Sequence, residues 1–358
     1  MIVRMLDQQS LNAWVDALIA RSRVVGVQAK GDRFAFDDLS AATDLRLDYD
    51  VTILPPKKYF LPQEEVLLRF KGEHYETVTE AEPFVLLGVH PYDAVAIAQM
   101  DVLFAEGQYD RHYMDRRNAA TIVAVDIQNV SENCFAGCMG TAVAKDGMDV
   151  LLTKVGERYV VEAYTPKGEE LMAHLADAPK ADRGALLGRV RVWEKSRRDA
   201  RKHELLPAPE DLPELLAQGY DDEVWEEKAR LCFSCGSCNL VCPTCYCFDV
   251  QDEVDWDLQS GERSRTWDGC MLESFALVAG GHNFRSDKAA RYRHRYYRKG
   301  KYIHEKIGEI ACVGCGRCIT ACVAKIANPV EVYNALYLTE EAECPVPAQT
   351  MPTSTSRR

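Results

Sequence analysis

Hydrophobic positions in the first half of the chain follow two different periods. Leu11 to Arg21 carries apolar residues at helical spacing, which predicts a surface helix. Phe84-Val-Leu-Leu-Gly-Val-His90 is an unbroken apolar run stopped by Pro91, the pattern of a buried strand, and Ala94–Phe104 then reads as a helix. Thr121-Ile-Val-Ala-Val-Asp126 predicts a second buried strand. Asp149–Lys154 and Tyr159–Tyr164 flank Gly156-Glu157 and predict a hairpin, followed by a helix over Glu169–Ala176. Residues 1–195 therefore read as an α/β (or α+β) domain with apolar sequence enough for its own core.

The pattern changes after that. Residues 196–222 are polar, carry Pro207, Pro209 and Pro213, and turn acidic from Glu210, as a linker does. Val224–Leu231, Cys270–Ala279 and Asp287–Lys299 then show helical spacing, which predicts a second, α-helical domain over 223–338. Residues 339–358 hold Pro345, Pro347, Pro352 and a run of Ser and Thr, the composition of a disordered tail.

The second domain is organised around its cysteines. Cys232-Phe-Ser-Cys235-Gly-Ser-Cys238-Asn-Leu-Val-Cys242 reads C-x2-C-x2-C-x3-C, and Cys312-Val-Gly-Cys315-Gly-Arg-Cys318-Ile-Thr-Ala-Cys322 repeats it. In two-cluster iron–sulfur proteins with this spacing, three clustered thiolates hold one [4Fe–4S] cube and the fourth reaches the other cube. Cys232, Cys235, Cys238 and Cys322 are thus the expected ligands of one cluster, and Cys312, Cys315, Cys318 and Cys242 of the other. Structural zinc uses four sulfurs in two pairs, which fits two identical four-cysteine runs poorly. The small Gly236, Ser237, Gly314 and Gly316 are expected to let backbone amides approach the sulfurs. Pro243 follows the first run, whereas Val323 stands at the matching place in the second. The runs are separated by residues 243–311, a gap much longer than in a compact ferredoxin, which favours the helical type of two-cluster ferredoxin domain.

Composition narrows the class. The chain has 358 residues, a net charge of −12 and 14 cysteines. The negative charge argues against general nucleic-acid binding. The N-terminus lacks the apolar segment of a secretory signal, and no apolar run approaches the length of a membrane span. The thiols are therefore expected to be metal ligands in a reducing, anaerobic cytoplasm rather than disulfides. Neither G-x-G-x-x-G after a strand nor G-x4-G-K-[ST] occurs, so no flavin or NAD is expected on this chain.

Several stretches keep two readings. His90-Pro-Tyr-Asp93 is either a flavin or substrate contact or a plain strand-to-helix turn with Asp93 as N-cap. Arg116-Arg117 is a surface pair or an anion contact. Arg285–Lys301 carries eight Arg and Lys against one Asp. It is read as a cover for anionic clusters, a docking face for an acidic partner, a solvated face or a nucleic-acid site. Cys134, Cys138, Cys245, Cys247 and Cys270 lie outside the two runs. They are either small buried thiols or ligands of a third cluster, in which Cys134 or Cys138 completes a set made by Cys245, Cys247 and Cys270.

Cys242-Pro-Thr-Cys-Tyr-Cys-Phe-Asp-Val, Gly280-Gly-His-Asn-Phe-Arg285, Tyr292-Arg-His-Arg and Cys312-Val-Gly-Cys-Gly-Arg-Cys resemble a family of [4Fe–4S] dicluster proteins. The family includes the beta subunit of cytoplasmic sulfhydrogenases and the corresponding iron–sulfur subunit of anaerobic sulfite reductase. The similarity extends through His90-Pro-Tyr-Asp and Cys134-Phe and covers nearly the whole chain. It implies an electron-relay subunit of a multi-subunit, hetero-oligomeric oxidoreductase. Such a relay passes single electrons between a flavin-containing NAD(P)H oxidoreductase subunit and the catalytic subunit of a hydrogenase, heterodisulfide reductase or sulfite reductase. The family often has a C-x-C pair after the strand, where this chain has Cys134 and Cys138 four apart.

Overall fold

The computed structural model describes residues 2–343. Strand β1 (Val3–Asp7) leads straight into helix α1 (Gln8–Ile19), where the Asp7 carboxylate accepts from the Ser10 amide at 2.8 Å and caps the first turn. β2 (Arg23–Lys30) and β3 (Arg33–Asp38) form a hairpin. β4 (Glu64–Lys71) and β5 (His74–Thr77) form a second hairpin apart from it. The apolar run becomes β6 (Phe84–Val89), wholly buried and paired in parallel with β2. Helices α2 (Pro91–Ala105) and α3 (Arg111–Ala119) return the chain to β7 (Ala120–Val125), also parallel to β6. β8 (Val150–Val155) and β9 (Arg158–Ala163) form the hairpin that the Gly156 turn implies. The result is a seven-stranded sheet in the order β1-β9-β8-β7-β6-β2-β3. Helices α4 (Pro166–Leu171) and α5 (Arg183–Asp199) follow.

The rest of the chain is largely helical. It contains α6 (Leu212–Gln218), α7 (Val224–Arg230) and the four-residue α8 (Ser237–Leu240) inside the first cysteine run. Two strands interrupt it: β10 (Phe248–Val254) and β11 (Ser260–Trp267). Helix α9 (Lys288–Tyr297) continues through a π-helical turn, Arg298–Tyr302, into α10 (Ile303–Ile307). α11 (Arg317–Ala321) lies in the second cysteine run, and α12 (Pro329–Glu343) closes the described chain. Two main cores result. One is built on the large sheet, and the other on Trp225, Tyr292, Tyr296 and Tyr333 among these helices.

Two features depart from the sequence pattern. Cys270–Ala279 is not a helix; it contains only a three-residue 3₁₀ turn at Ser274–Ala276. The β10–β11 hairpin, in the gap between the cysteine runs, has no counterpart in the sequence pattern. Its strands carry mostly polar side chains, and the few apolar ones, such as Phe248, Val250 and Val254, give too short a pattern to mark them. They form because β11 pairs with β4, giving a four-stranded sheet in the order β10-β11-β4-β5. The pairing is pinned by charge. Glu65 of β4 accepts from Arg265 of β11 and from Arg116 of α3, each at 2.5 Å, and all three side chains are buried. Arg116 is thus an internal ion-pair partner, and Arg117 pairs with Asp101 at 2.8 Å. Residues 339–343 continue α12, while 344–358, including Cys344 and the rest of the expected tail, lie outside the described residues.

Asp93 does not cap α2; the N-cap is His90, and Asp93 sits in the first turn, wholly buried. Its carboxylate takes both terminal nitrogens of Arg317, at 2.7 and 2.6 Å. Arg317 also donates from Nε to the Thr52 carbonyl and from Nη2 to the Thr52 hydroxyl, both at 2.9 Å. This pair ties α2 of the sheet domain to the second cysteine run. Removing one partner of such a pair strands the other as an uncompensated buried charge. Asp93→Ala is expected to cost about 3–5 kcal/mol in denaturant unfolding, against less than about 1 kcal/mol for an exposed pair. A loss within the exposed range shows that the pair does not join the two parts.

Candidate metal centres

The repeated sequence folds into a repeated structure. In each run a glycine in the left-handed region, Gly236 (φ 72°) or Gly316 (φ 78°), precedes a short helix that begins at the next residue. The two copies therefore aim their cysteines similarly, and the fourth cysteine of each run is exchanged. Cys232, Cys235 and Cys238 line one pocket together with Cys322 of the other run, walled by Phe233, Met271, Tyr292 and Ile326. Cys312, Cys315 and Cys318 line a second pocket together with Cys242, walled by Phe135, Val313 and Pro329.

The pockets differ in exposure. Cys235 is exposed at the first, whose rim includes Phe233 at 71% and Val323 at 78% exposure. Cys315 and Cys318 of the second are buried. Burial pushes the thiols of Cys238 and Cys312 up to about 12, so without metal they stay protonated. Binding a cation there means displacing those protons.

Why the second pocket is closed follows from Gly314 and Gly316. A Cβ on Gly314 would lie 2.6 Å from the Ala136 backbone nitrogen, and one on Gly316 would lie 2.3 Å from the Asn133 carbonyl oxygen. The glycines thus admit the loop 133–136 of the sheet domain against the cysteine run. Phe135 donates its amide to the Gly314 carbonyl at 2.8 Å, and the Thr141 hydroxyl donates to the Val313 carbonyl at 2.6 Å.

Three cations of the basic stretch 285–301 face inward. Arg291, Arg295 and Lys299 are each less than 5% exposed. Arg291 donates to the Ser234 hydroxyl at 3.2 Å and to the Arg285 and Ser286 carbonyls. Arg295 reaches the Cys238 carbonyl at 3.4 Å and lines the second pocket with Lys299. Burial works against the Arg295 charge, which the facing sulfurs of Cys238, Cys318 and Cys242 offset once they are ionised. Arg293, only partly covered, stacks on Tyr220 at 3.8 Å. The surface docking reading of Arg291 and Arg295 is therefore overturned: helical periodicity places them on the core side, opposite the thiols. The donor chemistry fits anionic clusters, since four thiols converge on each pocket and cations line the second without carboxylates.

The other cysteines separate into two groups. Cys134 is buried in a small cluster with Cys315, Ala136 and Val313. Cys138 donates to the His203 carbonyl at 3.4 Å. Cys245 and Cys270 instead flank the Asn239 amide, with sulfur distances of 3.7 and 3.4 Å. Cys247 stands within electrostatic reach of Cys270. Sequence reasoning missed Asn239, Thr244 and Lys57. Lys57 donates to the Cys245 carbonyl at 2.5 Å across 188 residues of chain, and nothing local in Pro56-Lys-Lys-Tyr signals that role. His90 is wholly buried, stacked on Tyr49 at 3.9 Å and bonded to the Tyr92 hydroxyl at 2.7 Å.

Residues 231–326 match the 4Fe-4S dicluster domain family. The chain is 34% identical over 307 residues to the protein named sulfhydrogenase 2 subunit beta of Pyrococcus furiosus, covering 86% of this chain and 90% of that relative. No solved structure matches it to a significant degree. Among the described residues no helix is long and apolar enough to cross a membrane. The likeness thus covers far more than the dicluster region, and the chain belongs to the sulfhydrogenase beta-subunit family of iron–sulfur electron-transfer subunits.

Proposed function

We propose that this chain is the two-cluster relay of a cytoplasmic, anaerobic multi-subunit redox complex. It would pass single electrons between a flavin-containing NAD(P)H oxidoreductase subunit and the catalytic subunit of a hydrogenase, heterodisulfide reductase or sulfite reductase. The observation that carries this reading is the gathering of eight cysteines into two four-thiol pockets with exchanged fourth members. Cys232, Cys235, Cys238 and Cys322 would hold one [4Fe–4S] cluster, and Cys312, Cys315, Cys318 and Cys242 the other. When bound, the clusters supply two one-electron redox centres close together. The protein's own residues do the rest. Arg295 and Lys299 offset negative charge at the second pocket, Phe135 and the Gly314 backbone exclude water there, and the Asp93–Arg317 pair holds its loop in place. The burial of His90 and Asp93 speaks for a structural role of that turn rather than a substrate contact.

The first pocket is the natural exchange point with a partner, because its wall reaches the surface at Cys235, Phe233 and Val323. Beside it lies a concave acidic surface lined by Asp221, Asp222, Glu223, Glu226 and Glu227. Lys288 of the same hollow donates to the Cys232 carbonyl at 3.3 Å, which fixes the two next to each other. Charge complementarity favours a partner whose docking face is basic around an apolar centre.

Two measurements check this. In anaerobically purified protein, Cys322→Ser should alter the electron paramagnetic resonance signal of the same centre as Cys235→Ser, and Cys242→Ser that of the same centre as Cys315→Ser. If Cys322→Ser and Cys315→Ser disturb one common centre, the exchanged ligation is wrong. Replacing Glu226 and Glu227 with Gln should slow electron transfer with the native partner at low salt. Steering of this kind changes on-rates by about 10- to 1,000-fold and fades with ionic strength. A rate that rises on neutralisation would reverse the assigned sign of the partner's face.

A further inference from the structure

Three thiols outside the two pockets occupy a third locality. Cys245 and Cys247 follow the first run through the Cys242-Pro243-Thr244 turn, and Cys270 follows β11. Asn239, buried in α8, draws two of them together. Its Nδ2 points at Cys270 Sγ at 3.4 Å and Cys245 Sγ at 3.7 Å, while its Oδ1 accepts from the Met271 amide at 3.2 Å. The Asp268 amide donates to the Cys247 carbonyl at 3.0 Å, so the exit of the β10–β11 hairpin is clamped to the Cys245–Cys247 turn. The Cys247 and Cys270 sulfurs sit within electrostatic reach of each other.

The cations around these thiols lack counter-ions. Lys57 is buried, lies over the Trp267 ring at 4.2 Å and faces Cys245, Cys242 and Cys247. Lys299 is buried, bonds the Thr244 hydroxyl at 2.8 Å and faces Cys242 and Cys245. Arg298 covers the Tyr246 ring and faces Cys247 and Cys245. Among the described residues none of the three has a carboxylate within salt-bridge distance of 4.0 Å. A buried cation without an anion is costly, and the nearby groups able to carry negative charge here are the thiols. Neutral thiols would leave these ammonium and guanidinium groups unbalanced, whereas metal-bound thiolates balance them.

We propose that Cys245, Cys247 and Cys270 hold a third iron–sulfur cluster, with Asn239 donating to its sulfur ligands. The position favours a redox centre over a structural ion. Cys245 lies three residues beyond Cys242, which lines the second pocket, and its sulfur sits within electrostatic reach of the Cys242 sulfur. A centre here abuts the second pocket and extends the relay toward the β4–β5 and β10–β11 sheet. Cys134 and Cys138, the completing ligands that the sequence suggests, are engaged elsewhere; one packs with Cys315 and the other bonds His203. With Cys242 assigned to the second pocket, the fourth position falls to a ligand other than a thiol of the described chain.

The proposal rests on the reading of the chain as an iron–sulfur subunit, and metal counts separate the two. Full-length protein purified anaerobically is assayed for iron, acid-labile sulfide and zinc, alongside Cys270→Ser, Cys247→Ser and Cys134→Ser. The wild type should carry about twelve irons, and the first two variants about eight, from loss of one four-iron cluster. Cys134→Ser should keep about twelve. Cys247 is only partly buried, so Cys247→Ser decides the matter if Cys270→Ser does not fold. About eight irons in wild type and variants alike, or about eight irons with one zinc that Cys270→Ser loses, overturns the third cluster. A wild-type count below about eight overturns the two-cluster reading as well.

Discussion

The structure depends on where buried positive charge finds its balance. Lys57, Arg295 and Lys299 are nearly inaccessible, and none has a carboxylate beside it among the described residues. Arg317, equally buried, shows the ordinary solution: the Asp93 carboxylate balances its charge, and Asp93 and Thr52 together accept four of its hydrogen bonds. Two atoms of Arg295, Nε and Nη1, find no partner among the described residues. A protein tolerates such groups when the compensating charge is supplied by something bound. Here the cations converge on sulfur, and the cysteine pattern names what is bound.

That constraint explains the coupling between the two halves of the chain. The second cysteine run is held by groups from the sheet domain: Asp93 and Thr52 on Arg317, Phe135 on Gly314, Thr141 on Val313. The hairpin between the runs in turn completes the sheet that β4 and β5 begin. Neither half closes its polar groups alone. The π turn at Arg298–Tyr302 belongs to the same logic, since it carries Lys299 inward where Gly300 passes close to Leu216.

Much of this is legible in the sequence, for identifiable reasons. Buried strands such as Phe84–Val89 and Ala120–Val125 announce themselves because parallel strands are apolar on both faces. The gathering of the eight cysteines is readable because the two runs repeat one spacing, and the structure brings them to two pockets. The hairpin 248–267 is not, because exposed antiparallel strands of mostly polar residues carry little apolar period and owe their existence to a partner strand far away in sequence. The inward face of Arg285–Lys301 is hidden for a related reason. A count of charges gives local sign but not orientation, and only the packing of Tyr292 and Tyr296 in the core shows that Arg291 and Arg295 turn inward with them. At Gly314 and Gly316 the sequence suggests room around sulfur, whereas their bare faces admit the backbone of residues 133–136.

The central claim is that buried cations balance bound clusters, and a redox titration tests it directly. Lys299→Met keeps the length of the side chain and removes its charge. With the protein reduced stepwise under anaerobic conditions and followed by electron paramagnetic resonance, the centre at the second pocket should become harder to reduce than in wild type, while the centre at the first pocket shifts less. Potentials unchanged at both centres would contradict the account, because a charge that does not influence the clusters cannot be what they balance.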